Sequence, residues 1–356
     1  MIYFVAKTGM EIFDLCRAYG LATLLDTFSP EETRTLIKDA GLFYLIEQRG
    51  EKISPEFLND AKWAQFFEKD FGQRVWNKVF LTYKDKWSQM AMKVKETLIE
   101  NFEDIIERAK VLTYSLDIST TSGETLPGPL DPSVFKGLRG KTRGDYSEAQ
   151  TRVDKENWAL ACLGGAISGR YKVQKSQGNK WDYFVVFPAP EKVYLDNFRK
   201  IRESTYTIGL KYLSAQNAAA HFSVILAQKM SEMAASISQF SDRYSGIFYF
   251  SMVQSGQQFK PSTGGKLSLY PLMELAYSGK PEIQEIFNIW NYLFKKGSVQ
   301  GYEDLGLSLT EFIMHPTLDS YEKHARIFLR YILRGKIKAI NFYTEKKILE
   351  VIKYAK

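Results

Sequence analysis

The sequence predicts an α+β fold, predominantly helical with a few short antiparallel strands and a β-hairpin. Two observations carry this. Most segments place apolar residues three and four positions apart, the helical period, and only three or four runs have the β-branched and aromatic character of strands. Two of those runs flank a short polar connection, which predicts the hairpin. With 356 residues, 45% of them apolar, the chain is long enough for one large core or two ordinary ones. Four regions are expected: a mainly helical 1–115, a flexible basic loop 116–145, a mixed region with the hairpin at 146–270, and a helical, basic 271–356.

Residues 2–6 (IYFVA) read as a strand closed by the turn Lys7-Thr8-Gly9. A helix follows with Ile12, Leu15, Cys16, Tyr19 and Leu24 on one side. Ser29-Pro30-Glu31-Glu32 has the form of a helix start, which Gly41 would end. Ser54-Pro55-Glu56 opens a second expected helix carrying Phe57, Trp63, Phe66, Phe67 and Phe71. Val94, Leu98, Phe102, Ile105, Ala109 and Leu112 predict one long helix over 85–115. Gly, Pro, Ser and Thr then dominate 116–145, as in a long loop. A helix is expected over 147–163, ended by Gly164-Gly165, then the hairpin strands 166–173 and 181–188 joined by the basic turn 174–180. Further on come a helix over 205–240, a buried strand over 246–253 and a polar loop over 254–266. Helices over 281–296, 308–315 and 320–335 follow, with a short strand near 338–342 and a final helix.

The common catalytic constellations are missing from the sequence. Of the three histidines, His221 lies in an apolar helix and reads as a core residue, His315 precedes Pro316 at a helix end, and His324 joins the basic C-terminal helix. None has metal-ligand spacing. Neither a phosphate-cradling GxxxxGK[ST] nor GxGxxG nor GxSxG occurs. Cys16 and Cys162 both sit in apolar helical patterns and read as buried free thiols. No catalytic residue, metal or cofactor is therefore expected, although carboxylates assembled from distant positions would escape such a scan. The N-terminus lacks a basic leader with a cleavage site, and no run of about 18 uncharged apolar residues occurs, so a cytoplasmic protein without a membrane is expected.

What is present is positive charge in particular places. The net charge is +7. Between Glu322 and Lys356 ten Lys and Arg face three acids, so this tail alone equals the whole excess. Three basic segments suit a nucleic acid. The first, KGLRGKTRGDY, spaces Lys136, Arg139, Lys141 and Arg143 with glycines that let backbone approach phosphates, although a solvated loop has the same look. The second is Arg326, Arg330 and Arg334, whose i, i+4, i+8 spacing puts three guanidinium groups on one helix face. Glu322 reaches Arg326, and nothing local reaches the other two, so phosphate or an acidic protein would suit them. The third joins the hairpin tip (Lys172, Lys175, Asn179, Lys180) to the loop with Gln257, Gln258 and Lys260, whose amides can read base edges.

The strand–turn–helix opening with AYGLATLL (18–25), the passage GGAISGRY (164–171) into a hairpin, the length and the basic C-terminal helix resemble the large subunit of archaeal type I-A CRISPR interference complexes, the Csa type. The resemblance spans most of the chain. It implies a non-catalytic subunit of an RNA-guided antiviral complex. Such a subunit reads a short motif flanking the target in duplex DNA, helps open the duplex and docks the helicase-nuclease. The implied partners are CRISPR RNA, target DNA, and the backbone, handle-capping and small subunits. The alternative is a nucleic-acid-processing nuclease with dispersed carboxylates; a helical interaction protein is a third reading.

Overall fold

A computed structural model of the chain describes residues 1–27, 34–49, 87–111, 118–119, 122–127, 130, 151–175, 181–206, 208–210, 213–255, 258–337 and 343–355. They form two compact units, Met1–Asp196 with Phe250–Gly264, and Asn197–Tyr249 with Gly265–Lys356. The α+β class holds: among the described residues eleven helices accompany a seven-stranded and a three-stranded sheet. The strands Trp181–Tyr194 and Arg243–Ser255 run longer than the sequence suggested, whereas the first hairpin strand starts only at Arg170 because residues 166–168 belong to the preceding helix.

The first unit opens with β1 (Ile2–Ala6) and α1 (Glu11–Thr27), followed by β2 (Arg34–Asp39) and β3 (Phe43–Arg49). Next come α2 (Trp87–Glu100), α3 (Phe102–Ala109), three two-residue strands β4 (Ile118–Ser119), β5 (Glu124–Thr125) and β6 (Arg152–Val153), then α4 (Lys155–Ser168). The hairpin β7 (Arg170–Lys175) and β8 (Trp181–Tyr194) follows, and parts of β9 (Arg243–Ser255) and β10 (Gln258–Ser268) complete the unit. The large sheet runs β1-β3-β2-β8-β9-β10, with β7 also paired to β8. The hairpin register sets Arg170 opposite Val186 and Lys175 opposite Trp181.

Two helices fill the middle of this unit. Every α4 residue from Glu156 to Ser168 is buried. A helix buried all round cannot be placed by an apolar stripe, and glycine places this one. A Cβ on Gly164 of α4 would lie 1.7 Å from the Cys16 carbonyl oxygen of α1, and a Cβ on Gly20 of α1 would lie 2.0 Å from that of Leu160. Backbone meets backbone on both sides of the crossing. Cys16 and Cys162, on the two helices, are buried free thiols, and burial pushes both thiols up.

A buried polar cluster ties the same helices together beside this crossing. Arg17 is fully buried and pairs with Asp14 at 2.7 Å. It also donates to Asn157 Oδ1 at 3.0 Å and to the Ala6 carbonyl. Asp14 in turn accepts from the Thr8 and Gly9 amides at 2.8 and 3.1 Å, closing the Thr8-Gly9 turn where Gly9 has φ +90°. Asn157 donates to Asp154, the α4 N-cap. One guanidinium thus joins the end of β1, the first turn of α1 and the start of α4. Charge pairing and hydrogen bonds together offset its desolvation.

The second unit holds the rest of α5 (Leu195–Tyr206), then α6 (Ala215–Ser236), α7 (Tyr270–Ala276), α8 (Pro281–Gly297), α9 (Glu303–Met314), α10 (Leu318–Leu333) and α11 (Glu345–Tyr354). Helix α6 packs on α8 and α9, α9 on α10, and α11 on α8. Trp290 is central, with Phe287, Phe312 and Tyr354 within 6.0 Å ring to ring, and its indole donates to Tyr343 at 2.8 Å. His221 is buried and stacks on Phe294 at 5.0 Å, as its apolar helix suggested.

Several sequence expectations need correction. Residues 34–39, expected in a helix, form β2: Leu36 and Ile37 are buried in the sheet, and Asp39 Oδ1 accepts from the Gly41 amide at 2.9 Å to make the turn into β3. Tertiary pairing overrides the helix-start pattern upstream. The expected helix 85–115 breaks at Asn101 into α2 and α3. Gly164-Gly165 lies inside α4 rather than ending it, because the α1 crossing needs the missing side chain. The expected helix 205–240 is shorter: residues 205–206 end α5, and α6 begins only at Ala215, where Ser214 caps it by accepting from the Asn217 amide at 3.1 Å. The polar loop 254–266 is largely strand: β9 pairs with β10, with Ser251 and Thr263 hydroxyls 2.9 Å apart across it. The aromatic helix expected after Ser54 and the strand near 338–342 lie outside the described residues.

The crossing makes a direct prediction. Gly164→Ala should lower the unfolding free energy by about 3 kcal/mol, the upper range for overpacking, because backbone has to move. Gly209→Ala, where a Cβ meets nothing within 4 Å, should change it by less than about 0.5 kcal/mol. Urea unfolding of both variants checks this; equal, small effects would show that the crossing tolerates a side chain.

Candidate nucleic-acid interface

Helix α10 carries the arginine stripe. It starts at Thr317, whose hydroxyl accepts from the Ser320 amide at 3.2 Å while the Ser320 hydroxyl accepts from the Thr317 amide at 3.1 Å. It ends at Gly335, whose φ of +66° suits glycine. Ser320, His324, Phe328 and Tyr331 recur at helical spacing and are buried. This inward stripe fixes what faces outward, namely Arg326, Leu329, Arg330, Leu333 and Arg334, all exposed.

His324 is not on the polar face, as its neighbours in sequence suggested. It is buried, lies between Phe312 and Phe328 with rings parallel within 4°, and its Nδ1 sits 3.1 Å from the Ser308 hydroxyl. Burial drives its pKa down to about 3, so at neutral pH it is a neutral ring of the core.

The charge of the C-terminal tail is partly matched. Arg326 pairs with Glu322, as its spacing implied. Lys323 pairs with Glu311 and Lys347 with Glu285, acids distant in sequence. Lys353 and Lys280 share Glu350 at 3.0 and 2.7 Å and hold its carboxyl below the usual range. Among the described residues no carboxylate lies within ion-pairing reach of Arg330 or Arg334. One helical turn, about 6 Å of rise, separates them.

Beside this pair the structure assembles groups the sequence did not single out. Tyr302, at the start of α9, stacks on Tyr331 of α10 at 5.2 Å with the rings 21° apart. Lys296, in the last turn of α8, lies 4.2 Å over the Tyr302 ring, and Lys336 lies 5.7 Å from Tyr302 and 5.8 Å from Tyr331. The Tyr331 hydroxyl donates to the Gly301 carbonyl at 3.0 Å, so that ring is anchored. Glu303 and Asp304 are the nearby acids, and burial with their charge raises the Tyr331 phenol. Four cations, Lys296, Arg330, Arg334 and Lys336, thus accompany a stacked aromatic pair within one unit. Tyr302 and Tyr331 are 29 positions apart, so no local pattern links them.

The other proposed site residues fall elsewhere. Lys136, Arg139, Lys141 and Arg143 lie outside the described residues, as do Asn179, Lys180 and Gln257. Lys172 and Lys175 are strand residues of β7. Gln258 and Lys260, expected on a loop, belong to strand β10. Among the described residues no group of three or more His, Cys, Asp and Glu is placed to hold a metal ion. No helix among them is long and apolar enough to cross a membrane.

No family model matches the chain. An uncharacterized protein of Archaeoglobus fulgidus is 29% identical over 366 aligned positions, covering 99% of this chain and 98% of that protein. The similarity therefore runs through both units.

The buried imidazole gives a pH prediction. An unfolded histidine titrates near 6.5, and the folded one near 3. The folded pKa is depressed, so the contribution of His324 is complete above about pH 6.5 and is lost as pH falls, because only the unfolded chain takes up the proton. Between pH 7 and pH 4 this group should cost about 3 kcal/mol of stability, and His324→Phe should lose that component. Urea unfolding at the two pH values checks it; an identical pH dependence in the variant would remove His324 as the cause.

Proposed function

We propose that this protein is a non-catalytic, nucleic-acid-binding large subunit of a type I-A CRISPR interference complex. The observation that carries the reading is the exposed pair Arg330 and Arg334, with no carboxylate in ion-pairing reach among the described residues and Lys336 two positions further on. Arg330 and Arg334 have no ion pair among the described residues while Lys323, Arg326, Lys347 and Lys353 each have one, and such arginines suit an external polyanion. Their fixed helical spacing suits backbone phosphates, contacts that position a nucleic acid without reading its sequence. The resemblance carried by AYGLATLL and GGAISGRY supplies the complex, and a full-length relative in an archaeon is in keeping with it.

On this reading the partners are CRISPR RNA, target DNA, the backbone, handle-capping and small subunits, and the helicase-nuclease, in the cytoplasm. Reading of the flanking motif falls to Lys172 and Lys175 of β7 with Asn179 and Lys180, and to Gln258 and Lys260 of β10 with Gln257. The glycine-spaced Lys136, Arg139, Lys141 and Arg143 add phosphate contacts. No residue is assigned a catalytic role.

The test is salt dependence. If about four phosphates are contacted, the logarithm of the duplex-binding constant should fall against that of salt concentration with a slope near −3.6. Replacing Arg330 and Arg334 by Ala should reduce the slope to about −1.8 and weaken binding to all sequences alike. A slope unchanged by the double variant would move the interface elsewhere, and metal-dependent cleavage by the purified chain would replace a binding subunit by a nuclease.

A further inference from the structure

We infer that Tyr302 is a stacking platform for an unpaired nucleobase, so that this face of the second unit takes single-stranded nucleic acid in preference to duplex. The inference rests on the nucleic-acid reading of Arg330 and Arg334 and names the form of ligand that their surroundings fit.

The arginines alone do not distinguish strand from duplex; the ring beside them does. Tyr302 is half-buried, braced on one side by the parallel Tyr331 ring, which is itself tied to the Gly301 carbonyl. A ring held this way is set before a ligand arrives. What lies over Tyr302 is an ammonium on a flexible arm, Lys296 at 4.2 Å, and no ion pair holds that lysine among the described residues. Base stacking is the stronger contact than an exposed cation–π pair. A base can therefore take the place of the lysine, and the displaced ammonium is then free to meet the adjoining phosphate. Lys336 and Arg334 stand on the α10 side of the same ring pair. Cations beside an aromatic face are the arrangement by which single strands are held without sequence preference, since every base has a π-face. In a duplex the base faces are covered by their neighbours, and only the phosphates remain available.

The experiment uses the full chain and fluorescence anisotropy with three probes of about twelve nucleotides: an oligothymidylate, the corresponding dA·dT duplex, and a strand of the same length with abasic sites. The oligothymidylate should bind more tightly than either other probe. Tyr302→Ala should weaken the oligothymidylate by roughly 5- to 150-fold and leave the duplex and abasic strand within about twofold, while Tyr302→Phe should stay close to the parent. The abasic comparison needs no variant, so the inference remains exposed to failure even if Tyr302→Ala disturbs the start of α9. Equal affinity for the abasic strand and the oligothymidylate would overturn the platform while leaving the phosphate-binding reading in place. Failure of the parent chain to bind any of the three at low salt would remove that reading and the platform with it.

Discussion

The contact between α1 and α4, backbone against backbone at Gly20 and Gly164, is the constraint on which the first unit depends. Both helices are buried, so solvent gives neither of them a direction to face. The absent side chains set how closely they approach, and the Arg17 cluster sets where along their length they meet. The cluster also holds the end of β1 and the turn before α1, so the strand, the turn and both helices share one anchor. Substitution at either glycine opens space between helices, whereas loss of Arg17 leaves Asp14 and Asn157 buried without their partner, a more costly fault.

The second unit is organised by aromatic packing. Trp290, Phe312, Phe328, Tyr331, Tyr354 and the neutral His324 tie α8, α9, α10 and α11 together ring to ring. That inner face of α10 gives the outer face its regularity. A guanidinium at every fourth position is useful to a ligand only if the helix cannot turn, and a core of stacked rings prevents turning.

The fold class was legible in the sequence because helical periodicity survives averaging over many residues. So was the arginine stripe, because i, i+4 spacing is a local property, and so was the pairing of Arg326 with Glu322 for the same reason. The misreadings share one cause, tertiary contact overriding a local signal. Gly164-Gly165 resembles a helix end until α1 is placed against it. Residues 34–39 follow an acidic capping pattern yet pair with β3 and β8. Gly264 and Gly265 with Pro261 resemble loop until β9 is laid alongside. The matched charges Lys323–Glu311 and Lys347–Glu285, and the stacked Tyr302 and Tyr331, join residues too far apart in sequence for any spacing rule to find.

Gly335 ends α10 one residue after Arg334, and this gives the stripe a polarity. The carbonyls at that end, three of them bonded to the amides of Arg334, Gly335 and Lys336, carry the negative pole of the helix. Arg330 and Arg334 are favourably placed beside it, and the same pole repels an anion arriving along the helix axis. Approach to the two arginines is therefore favoured from the flank of the cylinder rather than along its axis. The helix end that stabilises these cations also sets the direction from which they can be approached.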